Sequence, residues 1–172
     1  MLTNFDLDDL SKHYSVPLVG VFMKDQLPKI PRNGNYIVNL QSSKDGNGTH
    51  FTCLKIQDDK AMFYDPFGAP PVTDIRDFVK RSSRVKHLAF NNWIVQDLHS
   101  SNCGYFCFSF LMYVNPKDIL ESANSYINRY VEDTRVNDEI LKESFRRLPV
   151  EPHRLIKRLF RIKSLLPKSY SR

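Results

Sequence analysis

Apolar and polar positions alternate along the chain in two rhythms. Phe5, Leu7, Leu10 and Tyr14 recur among polar residues, predicting a short helix from Leu2 to Tyr14 with Asn4 as its cap. Residues 16–35, broken by Pro17, Pro28 and Pro31, read as loop. Asn35 to Leu40, Thr49 to Ile56 and Ala61 to Asp65 have strand composition, joined by the turn residues Lys44–Gly48 and Asp58–Asp59. Short turns between three strands predict an antiparallel meander, ended sharply at Pro66. Thr73 to Ser83 predicts a helix capped by Thr73, with Ile75, Phe78 and Val79 at helical spacing. His87–Phe90 and Trp93–Gln96 read as short strands, and the almost wholly apolar run Tyr105–Val114 as a helix buried on all sides. Helices are also expected near residues 118–131, 137–148 and 152–166.

At 172 residues the chain has length for one well-packed core, and 41% hydrophobic with 26% charged residues is ordinary for a globular protein. No apolar run approaches the roughly 20 residues of a membrane span, and the N-terminus does not read as a signal peptide. Three cysteines in no framework spacing suggest free thiols in a reducing compartment. Charge is segregated: residues 142–172 hold ten basic and two acidic side chains, leaving residues 1–141 at −2 out of a chain total of +6. The domain division expected is therefore 1–150 for the folded unit and 151–172 for a basic tail. In that tail Leu155, Leu159, Ile162 and Leu166 share one helical face, with Arg154, Lys157, Arg158 and Arg161 opposite. Docking of that apolar face on the same domain is one reading; phosphate contacts to nucleic acid and attachment to an anionic membrane surface are the others.

The chemistry gathers around Cys103-Gly104, at the start of the apolar helix. A thiol there faces unpaired backbone N–H groups and the positive end of the helix dipole, which favour a thiolate. Gln96, seven residues upstream, can aim its amide at a developing oxyanion. His50 begins one predicted strand and Asp65 ends the next, so an antiparallel pairing brings carboxylate and imidazole together. The carboxylate would orient the histidine, and the histidine would act as base to Cys103. Singly, each residue has a plainer reading: an inert buried thiol, a loop-edge histidine, a routine Asp-Pro turn. Their combination points to nucleophilic hydrolysis or acyl transfer. A zinc site through His99, Cys103 and Cys107, or through His50 and Cys53, is weaker, because zinc ligands are spaced in tighter knuckles; no metal is expected.

Four segments within residues 1–115 resemble, in order, the adenovirus-type maturation cysteine proteases, whose relatives include SUMO-specific proteases and proteases of virophages and Polinton-like viruses. They are Leu7–Tyr14 with the stretch Gly20–Pro28; Gly48-Thr49-His50-Phe51; Tyr64-Asp65-Pro66-Phe67-Gly68; and Gln96 followed by Cys103-Gly104 and Phe106-Cys107. The resemblance implies an α+β, papain-related fold with a central, mostly antiparallel sheet packed by helices and the nucleophile at the N-terminus of a buried helix. It implies His50 as base, Asp65 as orienting acid, Cys103 as nucleophile and Gln96 in the oxyanion hole. It also implies glycine beside the scissile bond, with Phe51 and Gly104 as candidate substrate contacts. The adenovirus enzyme carries glutamate where this chain has Asp65, as SUMO proteases do. It also bonds its activating peptide through a cysteine between acid and glutamine, and residues 66–102 here contain none.

The expected function is therefore a viral cysteine endopeptidase that cleaves capsid or core precursors during virion maturation, inside the virion and the infected cell. No cofactor is demanded; a DNA or peptide activator would act without the disulfide. A SUMO-type deconjugating protease is the alternative, and a DNA-binding packaging protein on a vestigial protease fold a second one.

Overall fold

A computed structural model describes residues 2–46 and 48–146. The expected tail, residues 151–172, with its helix at 152–166 and with Arg154, Lys157, Arg158 and Arg161, lies outside the described residues. Helix α1 spans Asn4–His13, and its cap is Thr3, not Asn4. The Thr3 hydroxyl accepts the Asp6 N–H at 3.2 Å, and Asp6 Oδ2 accepts the Thr3 N–H at 2.8 Å. This reciprocal box needs a carboxylate three residues on: from Thr3 that is Asp6, whereas from Asn4 it would be Leu7. Leu7 and Leu10 are fully buried, but Phe5 is 82% exposed, because two residues of helix turn it away from their stripe.

Strand β1, Leu18–Met23, occupies the stretch expected as loop. Pro17 and Pro28 bound it without interrupting it, so the prolines mark its limits. The predicted meander follows as β2 (Gly34–Asn39), β3 (Phe51–Gln57) and β4 (Lys60–Tyr64). Helix α2 (Thr73–Lys80) then leads to β5 (His87–Phe90). Val72, extended and without a side-chain cap bond, precedes α2, so Thr73 is its first helical residue and not its cap. The five strands lie in sequence order; the two central pairings are antiparallel, while β1 joins β2 and β5 joins β4 in parallel. Residues 93–96, expected as a strand, join no ladder: the Val95 and Gln96 N–H groups both donate to the Pro66 carbonyl, at 2.9 and 3.1 Å.

Strand alternation divides the core into two layers. Ile37, Phe51, Cys53, Met62 and Tyr64 face α1, α3 (Cys103–Tyr113), α4 (Ile119–Ile127) and α5 (Thr134–Arg146). Tyr36, Val38, Leu54, Ile56, Ala61 and Phe63 face Ile75, Phe78 and Val79 of α2. Residues 103–111 of α3 are buried without interruption, as the apolar run predicts. Tyr64 stacks on Phe110 at 4.4 Å between ring centroids, and the Tyr126 ring meets both edge-on. The architecture is α+β, with α3 lying against β3 so that its first residue falls beside the start of that strand. Leu141 and Phe145 of α5 belong to the core, so any truncation that isolates the tail begins after Arg146.

Candidate active site

In the β3–β4 register Cys53 faces Tyr64; continued toward the strand end, the same register sets His50 opposite Phe67. The two rings stack there at 4.6 Å and 22°. Asp65, one residue beyond β4 and 1% exposed, reaches back, and its Oδ1 lies 2.7 Å from His50 Nε2. The same oxygen accepts the Phe67 N–H at 2.8 Å. A carboxylate only accepts, so the shared proton sits on Nε2, and Nδ1 is the ring nitrogen that Asp65 does not engage. The hairpin end is braced on both sides. Ahead of His50, Asn39 Oδ1 accepts the N–H groups of Gln41 and Thr49, and the Leu40 N–H donates to the His50 carbonyl at 2.9 Å. After Asp65, a tight turn returns the Gly68 N–H to the Asp65 carbonyl at 2.8 Å. Gly68 has φ +69°, and a Cβ there would lie 2.8 Å from the Trp93 carbonyl carbon, so the turn requires glycine.

Cys103 is the first residue of α3, and the Phe51 N–H donates to its Sγ at 3.5 Å. The thiol also lies within electrostatic reach of His50, so three side chains remote in sequence converge. Asn102 precedes α3 without a side-chain cap bond, which leaves the positive end of that helix directed at the sulfur's surroundings. Burial disfavours a charged imidazole, but the hydrogen bonds and charges of Asp65 and Cys103 outweigh it and raise the His50 pKa to about 9. The other two cysteines are placed differently. Cys107 donates to the Phe51 carbonyl at 3.2 Å, Cys53 to the Cys107 carbonyl at 3.6 Å, and burial pushes the Cys107 thiol up. Among the described residues no three His, Cys, Asp or Glu side chains are arranged to hold a metal ion, and His99 is exposed.

Phe51 and Gly104, expected to touch substrate, lie against the core next to Cys103. Phe51 is 2% exposed, and a Cβ on Gly104 would come within 3.0 Å of Leu2 Cδ1 and 3.4 Å of the Phe51 ring. Their packing lets α3 approach β3 closely.

Gln96 is 1% exposed, and its Nε2 donates to the Ser100 carbonyl at 2.9 Å. That carbonyl fixes the amide's orientation, while Oε1 is buried with no partner. The loop carrying Gln96 is gripped by α5: Asn137 Nδ2 donates to the Val95 carbonyl at 2.9 Å, and Asp138 accepts from the Ser100 hydroxyl at 3.3 Å. At its other end Asn91, 4% exposed, binds both backbone groups of Asp65. Asn91, Asn137 and Asp138 carry no motif signal; lone amides and carboxylates in polar stretches look like loop and helix-surface residues until the chain is folded.

No family model and no curated protein matches the chain. Solved structures are similar to it, two of them of one protease. A crystal structure of ASFV pS273R protease shares 16% identity, with a TM-score of 0.49, over 82% of this chain and 64% of that one. The selenomethionine form of the same protease shares 16% identity, with a TM-score of 0.43, over 80% and 65% respectively. The chain thus spans just under two thirds of the length of the structures it matches.

A pKa raised from 6.5 to about 9 means that the folded protein holds the His50 proton more tightly than the unfolded chain does. The stabilisation is complete below pH 6.5 and is lost as pH rises through about 9. The difference in urea-unfolding free energy between wild type and His50→Gln should therefore narrow over that interval; a constant difference would contradict the assignment.

Proposed function

We propose that this chain is a cysteine endopeptidase, and that it processes viral capsid or core precursor proteins at glycine-containing sites during virion maturation. The observation that supports hydrolysis most strongly is the convergence on one point of the Cys103 sulfur, the His50 ring and the buried Asp65 carboxylate, 2.7 Å from that ring. Maturation of precursors, glycine at the cleaved bond, and a setting in the virion and infected cell rest on the likeness of the four sequence segments to adenovirus-type proteases.

In this reading Cys103 and His50 react as thiolate and imidazolium. The sulfur attacks the scissile carbonyl, forming an S–C bond and an oxyanion that the Cys103 backbone N–H and the Gln96 amide stabilise. His50 gives its proton to the leaving amine as the C–N bond breaks, leaving a thioester. Water then attacks that thioester and loses its proton to His50; the C–S bond breaks, releasing the carboxylic acid product and restoring the thiolate and imidazolium. Asp65 holds the imidazole in the tautomer that allows both transfers and stabilises its charged form. The reaction draws on side chains and water alone; DNA or a peptide would act as activator, without a disulfide. The same chemistry serves removal of a ubiquitin-like modifier, so the substrate decides between the two roles.

Cys103→Ala should abolish cleavage of a glycine-containing capsid precursor while its circular dichroism matches wild type; residual turnover would refute the nucleophile. Running SUMO conjugates beside that precursor separates the roles, since preferential cleavage of the conjugate would make deconjugation the function. Gln96→Ala should lower kcat about 10²–10³-fold, the usual effect of one lost oxyanion donor, with KM little changed. A rise in KM at constant kcat would instead place Gln96 in ground-state binding.

A further inference from the structure

Asn91 sits just past the end of β5, 26 positions from Asp65 in sequence, and is 4% exposed. Its amide is used at both ends. Oδ1 accepts the Asp65 N–H at 2.9 Å, and Nδ2 donates to the Asp65 carbonyl at 2.7 Å and to the Trp93 carbonyl at 3.2 Å. A single planar group thus binds Asp65 in the manner of a neighbouring strand, at the point where β4 has ended and no ladder continues. The third bond ties that residue to the loop carrying Gln96. Two further contacts close the block: Pro66 accepts from the Val95 and Gln96 N–H groups, and Gly68 packs on the Trp93 backbone.

We propose that Asn91 is a positioning residue which holds the Asp65 carboxylate against His50 and fixes the Gln96 loop to the same frame. The two arms of the site, one orienting the base and one meeting the oxyanion, then move as one body. The role follows from the geometry of the side chain. Asp65 carries its carboxylate on a backbone free of strand pairing, and a shift of about 1 Å in such a group can cost about a hundredfold in rate. Deleting the amide would also leave the buried Asp65 N–H without its partner, while the Asp65 carbonyl would keep only the Gly68 N–H, so some loss of stability accompanies the loss of positioning. The proposal rests on the peptidase reading for its catalytic consequence, though not for its structural one.

The test joins two readouts on the full-length protein. The first is the NMR titration of the His50 ring, whose charged neighbours are Asp65 and Cys103. The second is steady-state cleavage of the capsid precursor. In folded Asn91→Ala the His50 pKa should fall from about 9 toward 6.5, and kcat should drop about a hundredfold with KM little changed. If Asn91→Ala does not fold, Asn91→Ser is measured in its place: its hydroxyl can serve only one of the two Asp65 backbone groups, and the same directions are expected. A His50 titration unchanged from wild type in either folded variant would overturn the proposal. If the titration falls but wild type cleaves neither precursor nor conjugate, the positioning role stands and the peptidase reading fails.

Discussion

The 2.7 Å contact between His50 and Asp65 is the interaction on which the site depends. It sits at the end of a hairpin, where the β3–β4 ladder has stopped and Asp65 has no strand pairing of its own. The protein supplies that restraint from four directions. Asn39 fixes the approach to His50, the Phe67 ring covers the imidazole, the Gly68 turn returns the chain, and Asn91 stands in for the missing strand. Without this bracing the carboxylate would be free to find water. Burial would then prevail over its attraction and leave the imidazole neutral.

The sulfur arrives from the opposite side by a different route. Helix α3 is buried along almost its whole length, and its position is therefore set by packing on β3 and, through Phe110, on the Tyr64 and Tyr126 rings. Gly104 allows the close approach that seats Cys103 beside the Phe51 N–H. A core helix thus positions Cys103, and a braced hairpin end positions His50 and Asp65. The loop carrying Gln96 is gripped by Asn91 at one end and by Asn137 and Asp138 at the other.

Much of this was legible in the sequence, for identifiable reasons. Turn residues between three strand-like runs gave the central meander, and the unbroken apolar run gave α3. The chemistry of Cys103, His50, Asp65 and Gln96 stood out because residue types and chain order restrict one another. What escaped depended on tertiary context. Strand β1 hid between prolines that bound it, the cap of α1 fell to Thr3 because Asp6 completes the box, and Trp93–Gln96 was drawn from strand pairing by the Pro66 carbonyl. Phe51 and Gly104 flank the reactive residues in sequence, yet alternation and close packing turn them into the core. Asn91 gave no signal at all, since an amide that mimics a strand is recognisable only once the strand's end is seen.

The central claim, that His50 activates Cys103 among three cysteines, is tested most directly by alkylation followed by mass spectrometry. Iodoacetamide at neutral pH should place a single adduct on Cys103 in the folded wild-type protein, and His50→Ala should slow that modification while Cys53 and Cys107 stay unmodified. An equal rate in wild type and His50→Ala, or modification spread over Cys53 and Cys107, would contradict it.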